Sequence, residues 1–190
     1  MNISNIQTIT KYGVTLCPLT HDKIEMVRQW RTDPKISQYM EYRGKITPEM
    51  QERWFANLNN GVDNFYWIIK FNGEEIGLIN VKDINYDEMS GESGVFIYSD
   101  KYLNSDVSYR AHLAMFDYVF EEVGLKIIYS HMLKTNPRAQ RFGLFLGAHL
   151  AEGQENVENQ LYIKTKEDYF NNPNRIRFVE RYNKFLSRKK

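Results

Sequence analysis

A strand, a short helix and a second strand are predicted within the segment Ile127–Gly153, IIYSHMLKTNPRAQRFGLFLGAHLAEG, which constrains the fold more than any other part of the chain. An alternating apolar run comes first. Asn136 then suits a helix N-cap, Pro137 the first helical position and Gly147 the residue just past the last turn. The free backbone N–H groups at the start of such a helix, beside the end of a strand, would form a site for a polar ligand.

The remaining pattern predicts an α+β fold in one domain of residues 1–190. An N-terminal pair of helices precedes an antiparallel meander, whose first hairpin is marked by Asn72-Gly73, a pair that suits a type I′ turn. One central mixed sheet, mostly antiparallel and flanked by helices, accommodates this order. The predicted strands upstream of Ile127 are 14–19, 65–71, 75–82 and 93–98, and the predicted helices are 24–31, 48–58 and 106–123, the last capped by Asn104 or Ser105 and ended by Gly124.

Composition limits the partners and the location of the protein. The formal net charge of +1 gives no large field for nucleic acid or an anionic membrane, so neither is expected as a partner. The single cysteine, Cys17, excludes an internal disulfide and fits a reducing compartment. The sequence has no apolar run of membrane-spanning length, and the polar start MNISNIQT lacks the features of a secretion signal, so a cytoplasmic location is expected.

The segment 166–190 predicts a terminal amphipathic helix, because apolar residues from Ile176 to Phe185 alternate with Arg and Lys at helical spacing. Two interpretations remain open. The helix packs on its own domain or on a second subunit, which would make a homodimer, or it contributes Arg175, Arg177 or Arg181 to a clamp for a nucleotide phosphate.

The ordered motifs resemble the GNAT superfamily of acyl-CoA-dependent N-acyltransferases over roughly residues 13 to 165. The strand, Asn-x-x-Ala helix and second strand of the opening segment look like the C-terminal signature of that superfamily. The upstream motifs that follow its order are Trp30-Arg31, Met40, Ile46–Gln51 with Trp54-Phe55, Glu75-Ile76-Gly77, Glu92-Ser93-Gly94 and Asp117–Phe120 before Gly124-Leu125. The resemblance implies a single GNAT-type domain, with 166–190 as a C-terminal helical extension, and acetyl-CoA or a slightly larger acyl-CoA as co-substrate.

The same resemblance implies where the acyl-CoA binds. Members of the superfamily cradle the pyrophosphate in a glycine-rich loop before a helix, and the matching stretch here, 103–108, has no glycine and carries the carboxylate of Asp106. Asp106 would either oppose the phosphates or merely cap the helix, where its charge favours the dipole. The expected cofactor-binding residues are Phe96, Ile97 and Tyr98 through their backbone, and Leu103, Asn104, Ser105, Asp106, Val107, Ser108, Asn136, Arg138, Arg141 and Phe142.

Three residues are the candidates for catalysis. An ammonium acceptor must lose a proton before it attacks a thioester, and Glu92 or His131, on predicted neighbouring strands, would accept that proton. Either side chain alone has an ordinary structural explanation. Asn136 would position the pantetheine arm or a water in addition to capping its helix. Gly143 stands where many members carry a tyrosine that protonates the leaving thiolate. A glycine there indicates either tight packing or room for a larger acyl group. The spacing of His, Cys and Asp suggests no metal site.

The acceptor is predicted from the first third of the chain. The expected substrate-binding residues are Arg31, Met40, Tyr42, Arg43 and Trp54, because an aromatic loop with Arg could stack a base and hold phosphate. Within the superfamily this pattern is most similar to acetyltransferases of nucleotide-linked amino sugars, including the pseudaminic acid type. Ribosomal-protein alanine acetyltransferases are almost equally similar, and a degenerate domain that only binds is the alternative of another class.

Overall fold

The computed structural model describes residues 6–188, and these contain one eight-stranded sheet in the order β1-β2-β3-β4-β5-β6-β8-β7. All neighbouring pairs are antiparallel except β5 with β6. The predicted α+β architecture with a mixed, mostly antiparallel sheet is therefore confirmed. The strands are β1 Ile9–Lys11, β2 Val14–Pro18, β3 Phe65–Phe71, β4 Glu74–Asn85, β5 Ser90–Ile97, β6 Ile127–Leu133, β7 His149–Leu150 and β8 Asn159–Thr165.

Seven α-helices surround this sheet within the described residues. They are α1 Ile24–Thr32, α2 Pro34–Ser37, α3 Pro48–Ala56, α4 Val107–Glu121, α5 Pro137–Phe145, α6 Lys166–Phe170 and α7 Pro173–Ser187. Capping residues and glycines in the sequence mark several of the helix ends. Thr47 accepts a hydrogen bond from the Met50 amide at the start of α3, and Gly124, with φ of +85°, follows the end of α4.

The two faces of the sheet are covered by different helices. The largely buried helix α4 packs on one face, where Val14, Phe65 and Ile128 are in its hydrophobic cluster. A second cluster, which includes Trp30 of α1 and Tyr66 of β3, covers the opposite face. Because side chains alternate along a strand, β5 sends Glu92 and Phe96 to the second face and the residues next to them in the chain to the first.

The start of α4 differs from the prediction. The N-cap is Asp106, not Asn104 or Ser105, and its side chain makes no capping hydrogen bond. The Asp106 carboxylate instead lies 2.8 Å from the Arg110 guanidinium, one helical turn further on. The hydroxyl of Ser105 accepts the amide of Val107 at 3.3 Å, so a residue outside the helix supplies the cap that Asp106 does not.

The C-terminal extension, α6 and α7, packs on its own domain. Phe178, Val179 and Tyr182 lie against the main hydrophobic cluster, and the rings of Tyr12 and Phe178 meet edge to face at 5.6 Å. Packing on the domain, one of the alternatives from the sequence, is thus confirmed, and a homodimer stays a prediction.

A buried carboxylate, Asp117 of α4, ties this extension to the N-terminal hairpin. It is only 2% exposed and accepts hydrogen bonds from the hydroxyls of Tyr12 and Tyr169, both at 2.6 Å. Lys11 and Arg175 add ion pairs at 2.5 and 2.9 Å. Because the Arg175 guanidinium is paired with Asp117, Arg177 and Arg181 are the arginines left for the alternative phosphate clamp, which stays a prediction.

No helix among residues 6–188 combines the length and the apolar character needed to cross a lipid bilayer.

Candidate functional site

A slot opens between β5 and β6, the parallel pair of the sheet. Their pairing stops at Glu92 opposite Tyr129, although β5 continues to Ile97 and β6 to Leu133. The hydroxyls of Ser93 and Ser130, 2.8 Å apart, lie where the two strands begin to diverge. Beyond that point β5 leads towards the start of α4 and β6 towards the start of α5, so two helix N-termini follow the open end of the slot.

The edge of β5 that faces the slot offers unpaired backbone groups. The Tyr98 amide donates to the carbonyl of Ile76 at 2.7 Å, so it is already used within the sheet. A Cβ on Gly77 would collide with the carbonyl oxygen of Phe96, which therefore also points to β4. Since backbone groups alternate along a strand, those of Ile97 and Val95 face the slot. Of the three residues predicted to pair with pantetheine through their backbone, only Ile97 is oriented for it.

The loop expected to hold phosphate, 103–108, lacks the alternating left-handed residues of an anion nest. None of its residues has a positive φ. The amides of Ser108 and Tyr109, in the first turn of α4, nevertheless have no hydrogen-bond acceptor within residues 6–188. The helix end thus keeps free donors for an anion, and the Asp106 carboxylate beside them is paired with Arg110.

The first two turns of α5 carry the other residues expected at the cofactor. Arg138 donates from its guanidinium to the backbone carbonyl of Leu103, across the gap between α5 and the phosphate loop. Arg141 is exposed. Phe142 is half-buried, and its ring packs 5.1 Å from that of His112 on α4. These contacts position α5 next to α4 and, among these three residues, leave Arg138 as the cation closest to the loop.

Asn136 and Gly143 have clear structural roles in α5. The Asn136 side chain accepts the Ala139 amide at 3.1 Å, which confirms the predicted N-cap. A Cβ on Gly143 would meet the side chain of Met132 on β6. Tight packing between helix and sheet therefore explains this glycine, because the space beside it is occupied by Met132.

Glu92 and His131 come together as predicted, on the face of the sheet opposite α4. His131 Nδ1 lies 3.3 Å from Glu92 Oε2, and Lys82 Nζ lies 3.5 Å from the other carboxylate oxygen. A cavity of about 390 Å³ opens beside them. Its lining residues are Asp83, Asn85, Glu88, Ser90, Gly91, Glu92, Tyr129, His131 and Leu161.

The same face carries Arg31 and Trp54, two of the residues expected to bind the acceptor. Trp54 packs edge to face on Tyr66 with ring centroids 5.2 Å apart. The half-buried Arg31 has no carboxylate partner within residues 6–188, and loss of solvent lowers the pKa of its guanidinium. Burial raises the pKa of the Tyr66 phenol, and the nearby charges of Lys82 and Arg31 oppose that rise.

The loop with Met40, Tyr42 and Arg43 makes local hydrogen bonds. Arg43 donates to the Met40 carbonyl at 3.0 Å, and the Tyr42 side chain is 50% exposed. No hydrogen bond or ion pair within residues 6–188 joins these three residues to Arg31 or Trp54. Their role in substrate binding stays a prediction.

The sequence did not predict Tyr66 and Lys82 as residues of the face that carries Glu92, His131, Arg31 and Trp54. Both belong to strands that were predicted correctly, and both share the strand parity that places a side chain on the face of Glu92. The alternation of side chains along these strands was therefore visible in the sequence, but it does not tell which face of the sheet contains the site.

Within residues 6–188, no group of three or more His, Cys, Asp or Glu side chains could hold a metal ion.

Known proteins share both the sequence pattern and the architecture. The family model described as "Acetyltransferase (GNAT) domain" matches residues 14–149. The search of curated protein sequences gives no significant match.

Among solved structures, apo FdhC, described as a nucleotide-linked sugar GNAT, has a TM-score of 0.74 and 19% identity, covering 92% of this chain and 98% of that one. Spermidine N-acetyltransferase from Vibrio cholerae, in complex with CoA and spermine, has a TM-score of 0.73 and 18% identity, covering 84% and 99%. A domain from Methanocaldococcus jannaschii DSM 2661 has a TM-score of 0.70 and 16% identity, covering 80% and 97%. At these identities the three structures show the shared fold.

The family match spans well over half of the chain and contains the slot, both helix starts and the Glu92–His131 pair. The chain belongs to the GNAT acetyltransferase family and is an acyl-CoA-dependent N-acyltransferase.

Proposed function

We propose that the enzyme transfers an acetyl or other short acyl group from acyl-CoA to the amine of a nucleotide-linked amino sugar. Such an acceptor carries two kinds of charge, an ammonium on the sugar and phosphates on the linker. A suitable site needs a carboxylate or imidazole at one end and cations at the other.

The observation that carries this proposal is the environment of Arg31. Its half-buried guanidinium has no carboxylate partner within residues 6–188 and lies near Tyr66, on the face of the sheet that also holds Lys82. A desolvated cation without a counterion gains most from an anionic ligand, and guanidinium binds phosphate with two parallel hydrogen bonds. Trp54 and Tyr66 add aromatic surface for a base or a sugar.

The cavity on this face suits the amine. Asp83, Glu88 and Glu92 line it next to His131, and their carboxylates would attract an ammonium group. Lys82 is paired with Asp83 and Glu92 at 3.1 and 3.5 Å, which leaves Arg31 as the cation for a phosphate of the acceptor.

The geometry supports proton removal by the Glu92–His131 pair, directly or through a water molecule. Acyl-CoA supplies an acyl group activated as a thioester. The deprotonated amine forms a bond to the thioester carbon, the carbon–sulfur bond breaks, and the ammonium proton passes to Glu92 or His131. As the nitrogen becomes an amide it loses a second proton, and the released thiolate takes up one proton through water, since Gly143 carries no acid.

The fold similarity to FdhC, which covers 92% of this chain, agrees with a nucleotide-linked sugar as acceptor. A polyamine is the second candidate. The acidic cavity favours it, and the spermidine acetyltransferase of V. cholerae shares the fold. A polycation would nevertheless be repelled by Arg31, which has no carboxylate partner within residues 6–188.

A thiol-release assay with several acyl-CoAs against UDP- and dTDP-linked amino sugars, spermidine and a peptide starting with Ala or Ser tests the proposal. We expect turnover with a nucleotide-linked sugar. Arg31→Gln should raise the KM for that sugar about tenfold or more while leaving the KM for acetyl-CoA unchanged.

Arg53→Gln is the matched control, since Arg53 is exposed on α3 and its loss removes the same charge. Turnover with only spermidine or only the peptide would contradict the proposed acceptor.

A further inference from the structure

The charges of this chain are divided unevenly between its C-terminal helix and the rest. Residues 173–190 contain seven Lys and Arg residues and one acidic residue, Glu180, so this segment has a net charge of +6. The overall charge is +1, which leaves a net charge of −5 for residues 1–172. Oppositely charged regions of one chain can attract each other between two molecules as well as within one.

Four of these cations form a basic stripe on the exposed side of α7. Their spacing of four, three and four residues places them on one side of a helix. Like charges at this spacing destabilise a helix, and the helix dipole favours only the two cations at its C-terminal end. The stripe consists of Arg177, Arg181, Lys184 and Arg188, all exposed and none paired with a carboxylate within residues 6–188.

An acidic end lies where α4 stops against the turn between β4 and β5. Glu121 is the last residue of α4 and Glu122 its C-cap, where the helix dipole disfavours a carboxylate. The amide of Lys126 donates to the Met89 carbonyl, which brings the preceding turn next to this helix end. The acidic end consists of Asp87, Glu88, Glu121 and Glu122, all exposed and without an ion pair in the described part of the chain.

The charges of both patches lack counter-charges in their own molecule, since no ion pair joins the stripe to the acidic end within residues 6–188. A nucleic acid or an anionic membrane on the stripe would also face the net charge of −5 on the rest of the chain, which repels it. A second copy of this chain instead offers a limited acidic surface. It also accepts the same contact in return, so that one symmetric interface neutralises both patches of both copies.

We propose that two copies of this chain associate reciprocally, with the basic stripe of each bound to the acidic end of the other. The stripe spans about 16 Å by the rise of an α-helix, so the contact is small and mainly electrostatic. Salt screens such exposed charges and therefore weakens the dimer. The inference is independent of the proposed function, because it needs neither acyl-CoA nor an acceptor.

Sedimentation velocity without any ligand tests it. We expect wild type to be dimeric at about 50 mM NaCl and to dissociate at about 500 mM. Reversal of either patch, by Arg181→Glu with Lys184→Glu or by Glu121→Lys with Glu122→Lys, should raise the dimer Kd about tenfold or more at low salt. An equal mixture of the two double variants should restore the dimer, because each variant then meets the opposite charge at both contacts. Restoration also shows that both variants are folded.

Lys45→Glu with Arg53→Glu is the matched control. It reverses two exposed cations outside both patches and changes the net charge as much as reversal of the stripe, so it should dimerise like wild type.

The other outcomes overturn the proposal. A wild type that stays monomeric at low salt would refute the contact. A dimer that neither reversal weakens would place the interface elsewhere, and a mixture that stays monomeric would show that the two patches are not partners. A monomeric wild type that binds a single-stranded oligonucleotide or phosphatidylserine vesicles, with loss of binding on reversal of the stripe, would assign the stripe to that polyanion instead.

Discussion

Two carboxylates of this enzyme, Asp117 and Glu92, occupy opposite kinds of environment. Asp117 is 2% exposed and receives donors at 2.5 to 2.9 Å from Lys11, Tyr12, Tyr169 and Arg175. The Glu92 side chain is 26% exposed, and its two nitrogen neighbours, Nδ1 of His131 and Nζ of Lys82, lie at 3.3 and 3.5 Å.

The difference separates a structural carboxylate from one available for chemistry. Both oxygens of Asp117 are occupied by short hydrogen bonds, so no proton or ligand can enter without breaking them. The ion pairs of Glu92 are longer and border a cavity, which leaves the carboxylate free to exchange partners. Substitutions at each carboxylate test this separation.

The largest effect is expected at Glu92, the proposed proton acceptor. Glu92→Gln keeps the shape but removes the proton acceptor, so kcat/KM should fall roughly 10³-fold, within the usual range for a general base. His131→Asn, in the same assay, should cost less if Glu92 is the base. The melting temperature of both variants should stay near that of wild type, because the ion pair between these two side chains is long and partly exposed. Full activity in both would refute the assignment of the base to either residue.

Replacement of Asp117 should lower stability and leave activity unchanged, the reverse of the effect expected at Glu92. Asp117→Asn leaves the charges of Lys11 and Arg175 without a counterion, and we expect a loss of about 3 kcal/mol in the free energy of unfolding. Urea denaturation measures this loss, and turnover per folded molecule should be unchanged. Asp100→Asn, which removes an exposed ion pair with Lys35, is the control and should cost less than about 1 kcal/mol.

The stability that Asp117 supplies should depend on pH with a defined sign. Burial alone would raise the pKa of this carboxyl, but hydrogen bonds from Lys11, Tyr12, Tyr169 and Arg175 outweigh it and lower the pKa. A carboxyl with a lowered pKa stabilises the fold above its unfolded pKa of about 3.9, and that contribution is lost as the pH falls through the folded value. The gap between wild type and Asp117→Asn should therefore narrow below about pH 4. A gap that widens on acidification would contradict the sign.

A buried cation without a hydrogen-bonded carboxylate should behave differently from those around Asp117. Lys164 is 3% exposed, its ammonium lies 3.8 Å from the centre of the Phe116 ring, and burial lowers its pKa to about 7. The folded state therefore binds fewer protons than the unfolded state between about pH 7 and pH 10, and stability rises with pH across that window. Lys164→Met should stabilise the protein by about 1 to 2 kcal/mol at pH 6 and by less at pH 9. If thermal unfolding showed an equal gain in stability at pH 6 and pH 9, the Lys164 amine would not be desolvated.

The smallest effect is expected at Asn136, the N-cap of α5, whose side chain accepts a hydrogen bond from the amide of Ala139 three residues later. Asn136→Ala should cost about 1 kcal/mol of stability, whereas Asn136→Ser should cost only a fraction of that because serine caps well. A loss of turnover in Asn136→Ser beyond its effect on stability would show that the amide also contacts acyl-CoA or a water.

Local patterns predicted the elements of this fold because their signals lie within a few residues. Asn136-Pro137, Thr47-Pro48 and Asn72-Gly73 each mark an end or a turn, and the structure has a helix or hairpin at each. The N-cap of α4 was predicted at Asn104 or Ser105 but is Asp106, whose carboxylate pairs with Arg110 while the Ser105 hydroxyl accepts the Val107 amide. The sequence cannot show which of two local partners a carboxylate takes.

The candidate site was predictable only in part. Glu92 and His131 were paired correctly since strand parity and the expected sheet order place both on one face. Tyr66 and Lys82 were missed because their proximity depends on how three strands align. The pairing of Arg175 with Asp117 was not predicted for a similar reason: the two residues lie 58 positions apart in the chain.

The Asp117 cluster also bears on how the chain folds while it is being synthesised. Two donors, from the N-terminal hairpin, are available before α4 leaves the ribosome, but the other two come from Tyr169 and Arg175. Until those residues emerge, a nascent chain would have to keep this carboxylate hydrated. Completion of the interior around α4, the helix that begins at Val107, therefore has to wait for the last quarter of the polypeptide.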